Sequence, residues 1–434
     1  MKRIRGRASI ALVLAGLIVL GLGFFLWRLW DRGGEWAAYR ANAHIYQSGA
    51  LKNAVLTDRN GVELLHARDG SYTYAADGTL RLSTLHALGD HRGYLGSGAL
   101  RLLADEIAGY SFVFGTPEEA NTLALSLDSR LQTAAWNGLA GRTGAVLVTN
   151  YETGEVLCMV SSPSYDPALG PDLSVDGVLI NRCTGAAYVP GSIFKLVTLT
   201  AACENLPDLQ ERSFNCKKTM KVGADTVVCT GKHGKQTIEQ ALANSCNIAF
   251  GQLAMELGGE TIRATAERLG VAGSLRFCGA QTAAGRCDTP AAGTAYEAWT
   301  GIGQHTDLVT PYAMARLCAA IANGGAAPEP VLLAGAQGEP ARLMDSAAAE
   351  FVGDCMSYDV VYKYGKGTFP GLDVCAKTGT AEVGDGTSHA WFVGYLRSGP
   401  PLAFAVVLEH GGSGLKKAAP LANLVLQKAV EIYE

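Results

Sequence analysis

Residues 188–198 read YVPGSIFKLVT, and this stretch is the strongest single indicator of the fold. Pro190-Gly191 interrupts the preceding segment, and a helix is predicted from Ser192 onward. Ser192 and Lys195 are three residues apart, so they share one face of that helix. A partly buried amine near a second cation has a lowered pKa and can take the proton that activates a serine. A serine in the first turn also places N–H groups toward a developing oxyanion.

Alone, this Ser-x-x-Lys pattern has little specificity, because such a pair is more often exposed on a helix. A second copy, Ser413–Lys416, lies in a glycine-rich loop where we predict no helix to fix the geometry.

A second motif, Ser245-Cys246-Asn247, lies where one predicted helix gives way to another. The serine could relay protons while the amide orients a substrate amide. Helix capping is the alternative role for these residues. The segment Ser213-Phe214-Asn215 repeats the pattern in a polar loop, so the motif alone is also weak.

A third motif, Lys377-Thr378-Gly379-Thr380, lies on a predicted strand. Two-residue alternation places Lys377 and Gly379 on the same face. The lysine can hold a carboxylate and lower the pKa of a neighbouring lysine, and the glycine allows a ligand to approach the strand closely. A solvated lysine is the alternative for this segment alone.

The three motifs follow one another at spacings of 53 and 132 residues, each on the element type that its chemistry needs. In this the chain resembles the serine acyltransferases that include penicillin-binding proteins and β-lactamases. Neighbouring segments narrow the resemblance to the transpeptidase domain of class B (monofunctional) penicillin-binding proteins, over residues 121–434. The matching segments include LSLDSRLQ, SSPSYDP, ALANSCNIAFGQLA, TPYAMARLCAAIANGG, AKTGTAE, HAWFVGY and VVLEHGGSG. The implied fold class is α/β (α+β), an antiparallel sheet with a helical subdomain.

The resemblance implies a peptidoglycan D,D-transpeptidase that cross-links stem peptides ending in D-Ala-D-Ala through a serine acyl-enzyme. In that family pattern, Ser192 is the nucleophile and Lys195 its base. Ser245 passes a proton to the leaving amine of D-Ala, and Lys377 tunes that pair electrostatically. β-Lactams mimic the substrate, so they are expected to acylate Ser192.

The resemblance also assigns substrate contacts. Asn247 would hold the substrate amide, while Thr378 and Thr380, beside Gly379, would bind its carboxylate side. Backbone N–H groups of Ser192 and Thr380 would form the oxyanion hole. The family requires no metal and no organic cofactor.

An apolar run precedes these motifs. Residues 8–27 contain nothing ionisable and span about 30 Å as a helix, the thickness of the bilayer hydrocarbon. Four basic residues precede the run, so the positive-inside rule keeps residues 1–7 cytoplasmic and places the rest outside a bacterial cell membrane. We predict a single-pass anchor at 8–30, because a cleaved signal peptide, the alternative, usually has a shorter apolar core. A small α+β pedestal is expected over 31–120.

Composition and charge exclude several classes of protein. The chain of 434 residues is 48% hydrophobic and 18% charged, so it is not disordered. Its net charge is −4, and beyond residue 30 it is −9 (31 basic against 40 acidic residues). A negative charge of this size argues against a nucleic-acid-binding protein. The eight histidines and eleven cysteines contain no CxxC or HxxxH pattern, so we expect no dedicated zinc site.

Local patterns predict the remaining elements. Hairpins are expected over 54–65 around Asn60-Gly61, over 71–82 around Asp77-Gly78, and over 144–160. Helices are expected from about 128, and at 192–204, 237–244, 247–258, 261–269, 310–323 and 418–432. Strands are expected at 371–379, 389–396 and 402–409, which suggests one sheet built from both ends of the transpeptidase region.

The cysteines leave two alternatives open. Cys216/Cys229 and Cys278/Cys287 are close enough for local disulfides, but an all-thiol state in a reducing setting is an equally good hypothesis. Cys246, inside the Ser-x-Asn motif, is not favoured as a nucleophile because no histidine lies near it in sequence.

Competing functions share parts of this pattern. A D,D-carboxypeptidase differs only in using water as the acceptor, a β-lactamase would need a base for deacylation, and a catalytically silent scaffold would not need the motifs.

The pedestal has Asp58-Arg59-Asn60-Gly61 but lacks the family's upstream arginine-glycine pair, having Leu51-Lys52-Asn53-Ala54 there. Its roughly 90 residues are too few for a glycosyltransferase domain, so a separate membrane glycosyltransferase of the division or elongation machinery is the expected partner.

Overall fold

The computed structural model describes residues 2–38, 53–68, 70–109 and 120–434. Parts of the expected pedestal, including Leu51 and Lys52, therefore lie outside the described residues.

Most helices lie, along the chain, between the two groups of strands that form the main sheet. In chain order they are α1 (Lys2–Ala38), α2 (Gly78–Leu88), α3 (Ala99–Leu102), α4 (Ala104–Ala108), α5 (Ser129–Leu139), α6 (Lys195–Asn205), α7 (Ile238–Ala243), α8 (Asn247–Leu257), α9 (Gly259–Arg268), α10 (Ala295–Thr300), α11 (Pro311–Ala322), α12 (Ser346–Asp359) and α13 (Ala419–Tyr433).

The strands form one large sheet, one smaller sheet and several two-stranded ribbons. In chain order they are β1 (Asn53–Thr57), β2 (Glu63–Arg68), β3 (Ser71–Tyr74), β4 (Asn121–Ala124), β5 (Gly144–Asn150), β6 (Val156–Ser162), β7 (Phe214–Cys216), β8 (Thr219–Val222), β9 (Asp225–Val228), β10 (Gly234–Gln236), β11 (Arg276–Phe277), β12 (Ala280–Gln281), β13 (Ala326–Pro328), β14 (Pro340–Arg342), β15 (Val374–Glu382), β16 (Ser388–Leu396) and β17 (Leu402–Leu408).

The large sheet joins the two ends of the transpeptidase region, as the sequence predicted. Its antiparallel strands run in the order β15-β16-β17-β5-β6, and β17 pairs with β5 from Leu402 opposite Asn150 to Leu408 opposite Gly144. Both faces are covered. Side chains such as Trp391 belong to the core shared with the helical subdomain, while Phe392 belongs to the core shared with α5 and α13. Strand β15, which carries the third motif, is left at one edge.

The helical subdomain confirms the predicted helices to within a few residues at each end. Helix α11 begins as expected, because Thr310 accepts the N–H of Ala313 and Pro311 occupies the first turn. The sequence patterns did not reveal α10 and α12.

The prediction of no helix around Ser413–Lys416 is wrong. Ser413 Oγ accepts the Lys416 N–H and caps a helical turn over Gly414–Ala418 that leads into α13.

The N-terminal module is a four-stranded sheet of order β3-β2-β1-β4. The hairpin around Asn60-Gly61 is confirmed by the pairing of β1 with β2. The second predicted hairpin, around Asp77-Gly78, is wrong. Asp77 instead caps α2 by accepting the N–H of Thr79 at 2.7 Å, since an Asp-Gly pair can start a helix as well as a turn.

One helix in the described part of the chain is long and apolar enough to cross a membrane, over Arg7–Gly33. Most of its large apolar side chains from Ile10 to Trp30 are exposed, as expected of a helix that faces lipid. This agrees with the predicted anchor.

The turn Asp58–Gly61 joins the N-terminal sheet to the transpeptidase region. The buried Asp58 carboxylate accepts the N–H groups of Asn60 and Val62 at 2.8 and 2.9 Å through Oδ1, and that of Ser129 at 3.1 Å through Oδ2. The Asn60 amide also donates to Asp128. The aspartate therefore closes its own turn and accepts the first N–H of α5, next to Asp128, which caps that helix.

We expect Asp58→Ala to lower the free energy of unfolding of the full chain in detergent by about 1–3 kcal/mol, because buried N–H groups lose their acceptor. Asp58→Asn should lose less, since an amide oxygen can still close the turn. Glu350→Ala, at an exposed position of α12, is the matched control. Equal denaturant midpoints for Asp58→Ala and the control would contradict this role.

Candidate active site

The first two motifs meet around one ammonium group. Lys195 Nζ lies 2.8 Å from Ser192 Oγ, 3.4 Å from Ser245 Oγ and 3.0 Å from Asn247 Oδ1. Ser192 is in a 3₁₀ turn, Gly191–Phe194, that continues directly into α6. The i, i+3 spacing predicted from the sequence therefore brings the serine and lysine together, and the structure adds both polar groups of the second motif.

The environment of Lys195 favours its neutral form. The side chain is 0% exposed. Burial first, and then the positive charge of Lys377, lower the pKa of Lys195 to about 7, while Cys229 and Cys246 oppose the shift. An amine with that pKa exists partly as a free base near neutral pH. It can accept the hydroxyl proton of the serine beside it.

The Ser-x-Asn motif forms the junction between α7 and α8, as predicted. Ser245 adopts a left-handed backbone conformation with φ 50°, which is uncommon for a residue with a side chain. Asn247 is the first residue of α8; its Nδ2 donates to the Val228 carbonyl at 3.0 Å, and its backbone N–H donates to Cys229 Sγ at 3.3 Å. These contacts leave the Asn247 Oδ1 directed at the buried ammonium of Lys195.

Lys377 is held by residues that sequence reasoning missed. Its Nζ lies 3.3 Å from Asp359 Oδ2, and the two side chains are 1% and 0% exposed. Tyr364 donates its hydroxyl to the same carboxylate oxygen at 2.7 Å and accepts the Thr378 N–H at 2.9 Å. Burial raises the pKa of Asp359 to about 6, and the charge of Lys377 opposes that rise. Nothing in the local pattern identifies Asp359 or Tyr364.

The structure gives Gly379 a packing role in addition to the expected access for a ligand. A Cβ on Gly379 would lie 2.9 Å from the Pro190 carbonyl oxygen and 2.9 Å from the Trp391 Cβ. On the opposing turn, Gly191 has φ 56°, and a Cβ there would lie 2.8 Å from the Thr380 carbonyl oxygen. The two glycines therefore let the nucleophile turn pack directly against β15.

The two threonines of the third motif differ in exposure. Thr378 is half-buried beside the Tyr364 hydroxyl, at 3.1 Å from it, whereas Thr380 is exposed. The exposed hydroxyl of Thr380 accepts the Gly414 N–H at 3.4 Å. One hydroxyl of the motif is therefore engaged by Tyr364, and the other lies at the exposed end of the motif.

The cysteines do not form the local disulfides that the spacing allowed. All eleven are free in the structure. Cys216, Cys229 and Cys246 instead gather with His233 into a cluster directly behind the Ser-x-Asn motif. The sequence spacing had suggested no such grouping, and no metal had been expected.

A family model and known relatives agree with this geometry. The model for the penicillin-binding protein transpeptidase domain matches residues 144–427. Peptidoglycan D,D-transpeptidase PbpA of Mycobacterium tuberculosis is 27% identical over 368 residues, covering 74% of each chain. MrdA of Acinetobacter baumannii, another peptidoglycan D,D-transpeptidase, is 27% identical over 70% of this chain and 54% of its own.

Solved structures share the fold. The D,D-transpeptidase domain of a peptidoglycan glycosyltransferase from Eggerthella lenta has a TM-score of 0.73 at 28% identity, over 88% of this chain and 98% of its own. Penicillin-binding protein A of M. tuberculosis, solved as a ceftriaxone acyl-enzyme, has a TM-score of 0.74 at 25% identity, over 87% and 98%. With the family model matched over more than half its length, this chain belongs to the penicillin-binding protein transpeptidase family, consistent with its class B members.

Proposed function

We propose that the protein is a peptidoglycan D,D-transpeptidase that works through an acyl-enzyme on Ser192. The observation that carries the proposal is the buried Lys195 ammonium at 2.8 Å from Ser192 Oγ, shared with Ser245 and Asn247. Relatives named as D,D-transpeptidases and a fold neighbour captured as a β-lactam acyl-enzyme support it.

In the first half-reaction, neutral Lys195 takes the Ser192 proton as Oγ attacks the penultimate D-Ala carbonyl. Backbone N–H groups of Ser192 and Thr380 hold the oxyanion. Ser245 hands a proton from the lysine to the leaving nitrogen, and terminal D-Ala departs. Lys377 supports this transfer through its positive charge.

In the second half-reaction, the amine of a neighbouring stem peptide attacks the acyl-enzyme and loses a proton to Lys195. Lys195 then returns this proton to Ser192 Oγ as the acyl group leaves. Asn247 orients the peptide amide, while Thr378 and Thr380 bind the carboxylate side of the substrate. Gly379, which has no side chain, lets the substrate approach the strand closely. A D,D-carboxypeptidase, in which water replaces the amine, is the alternative enzyme. None of these steps uses a metal or an organic cofactor as a reactant.

We also place the enzyme at a bacterial membrane with its N-terminus in the cytoplasm. The apolar helix supports an anchor, and the basic residues before it support that orientation. Alkaline phosphatase fused after Glu434 should then be active and a β-galactosidase fusion inactive. The reverse result would contradict the orientation.

A membrane glycosyltransferase of the division or elongation machinery is the proposed partner. A fold neighbour, PBP2 of Helicobacter pylori, was solved in complex with MreC, which shows that a related protein binds another chain. Failure of any glycosyltransferase to co-purify with the intact chain in mild detergent would count against this partner.

The decisive experiment follows covalent labelling of the full chain by a fluorescent penicillin on a denaturing gel. Wild type should give a persistent band, Ser192→Ala none, and Lys195→Met a labelling rate reduced by at least about 10³-fold, because the general base is lost. Lys416→Met is the matched control, since Lys416 is the exposed lysine of the second Ser-x-x-Lys segment.

Each outcome of the labelling has a distinct meaning. A band that vanishes within seconds would indicate a β-lactamase, and no band from folded wild type would leave a silent scaffold. If the rate and products of D-Ala release from a stem pentapeptide do not change when an acceptor amine is added, the carboxypeptidase would be favoured.

The rate of penicillin acylation should rise with pH and level off above about 7, the pKa of Lys195. Below that pH the lysine is protonated and cannot act as the base, so the rate should fall about tenfold per pH unit. The groups whose charges act on this pKa are Lys377, which lowers it, and Cys229 and Cys246, which raise it. Second-order rate constants measured across this range test the assignment, and a flat profile would contradict it.

A further inference from the structure

The cysteine cluster assembles from three separate segments. Cys216 ends β7, Cys229 directly follows β9, His233 lies between β9 and β10, and Cys246 lies between α7 and α8. One ligand atom from each residue lies within 4.8 Å of all the others. Cys229 Sγ is 3.9 Å from Cys246 Sγ and 3.6 Å from His233 Nδ1.

These separations suit a metal ion better than a disulfide. Zinc bonded to sulfur at about 2.3 Å and to nitrogen at about 2.0 Å spaces its ligand atoms by roughly 3.5–3.8 Å in a tetrahedron. Bonded sulfur atoms would be only about 2.05 Å apart. Three thiols and one imidazole are a ligand set typical of structural zinc sites, and the three cysteines are buried while His233 is half-buried.

We propose that Cys216, Cys229, His233 and Cys246 bind a structural Zn²⁺ ion. The ion displaces the protons of three thiols to solvent and takes His233 as neutral imidazole, which gives the filled site one net negative charge. Four protein ligands close the coordination sphere, so the ion has no open position for substrate or water. This site revises the sequence-based expectation that the chain has no metal.

The site has a direct connection to the acylation machinery. Cys246 is the middle residue of the Ser-x-Asn motif, and the backbone N–H of Asn247 donates to Cys229 Sγ at 3.3 Å. N–H donors to ligand atoms are a usual support around metal sites. The ion therefore fixes the junction on which Ser245 has its left-handed conformation and from which Asn247 Oδ1 reaches Lys195.

The ion is thus a positioning element, and this part of the inference rests on the proposed function. It ties the β7–β10 segment to the start of α8, where two of the three hydrogen-bond partners of Lys195 originate. Loss of the ion should leave Ser192 and Lys195 in place but loosen Ser245 and Asn247.

The test begins with metal content, which does not depend on activity. The full chain purified in detergent should contain stoichiometric zinc by mass spectrometry. Cobalt exchanged into the site should show the visible absorption and sulfur charge-transfer bands of tetrahedral thiolate coordination. His233→Ala and Cys216→Ser should lose both signals, whereas Cys203→Ser, at a half-buried cysteine outside the cluster, should keep them.

A folded wild-type chain that binds neither zinc nor cobalt, including after thiol reduction, would overturn the site. A Cys229–Cys246 disulfide found by peptide mapping of unreduced protein would overturn it too. Circular dichroism of His233→Ala separates loss of the metal from loss of the fold, since this residue is only half-buried.

The positioning role needs a second readout. Removing the metal from wild type should slow penicillin acylation by up to about 10²-fold, as expected for misplaced catalytic groups. Added zinc should restore wild type but not His233→Ala. Zinc-loaded protein that never labels would refute the acyl-enzyme and leave the metal site intact, whereas unchanged labelling after metal removal would refute the positioning role.

Discussion

The active site depends on one buried ammonium group shared by three oxygen atoms. Lys195 is fully enclosed, and Ser192, Ser245 and Asn247 supply its hydrogen-bond partners at 2.8–3.4 Å. A buried charge without such partners would cost several kcal/mol. Because the three partners come from two separate segments, the requirement to satisfy this lysine links the start of α6 to the α7–α8 junction.

A second buried lysine imposes the next constraint. Lys377 lies opposite Asp359, and its charge lowers the pKa of Lys195. The strand bearing Lys377 can approach the nucleophile turn because Gly379 and Gly191 leave no side chain between them. Backbone packing and electrostatics are therefore coupled: the close approach that positions the nucleophile also brings the second cation near its base.

The Ser-x-Asn junction depends on contacts with residues from other segments of the chain. Ser245 has a left-handed backbone, and Cys246, the middle residue of the motif, belongs to the cysteine cluster behind it. A metal ion there would tie the two-stranded ribbons β7–β10 and β8–β9 to the start of α8. The same hydrogen bond, from Asn247 N–H to Cys229 Sγ, belongs to both sites.

The sequence by itself determined the motifs, the strands and helices that carry them, and the apolar N-terminal helix. These features depend on contacts within a few residues, such as the i, i+3 pair Ser192 and Lys195. Where one local pattern fits two structures, as with the helix cap at Asp77, the sequence interpretation was wrong. Tertiary structure alone decided that Asp359 faces Lys377 and that Cys216 meets Cys246. The residues of these contacts are far apart in sequence, so only the packing of helices against the sheet brings them together.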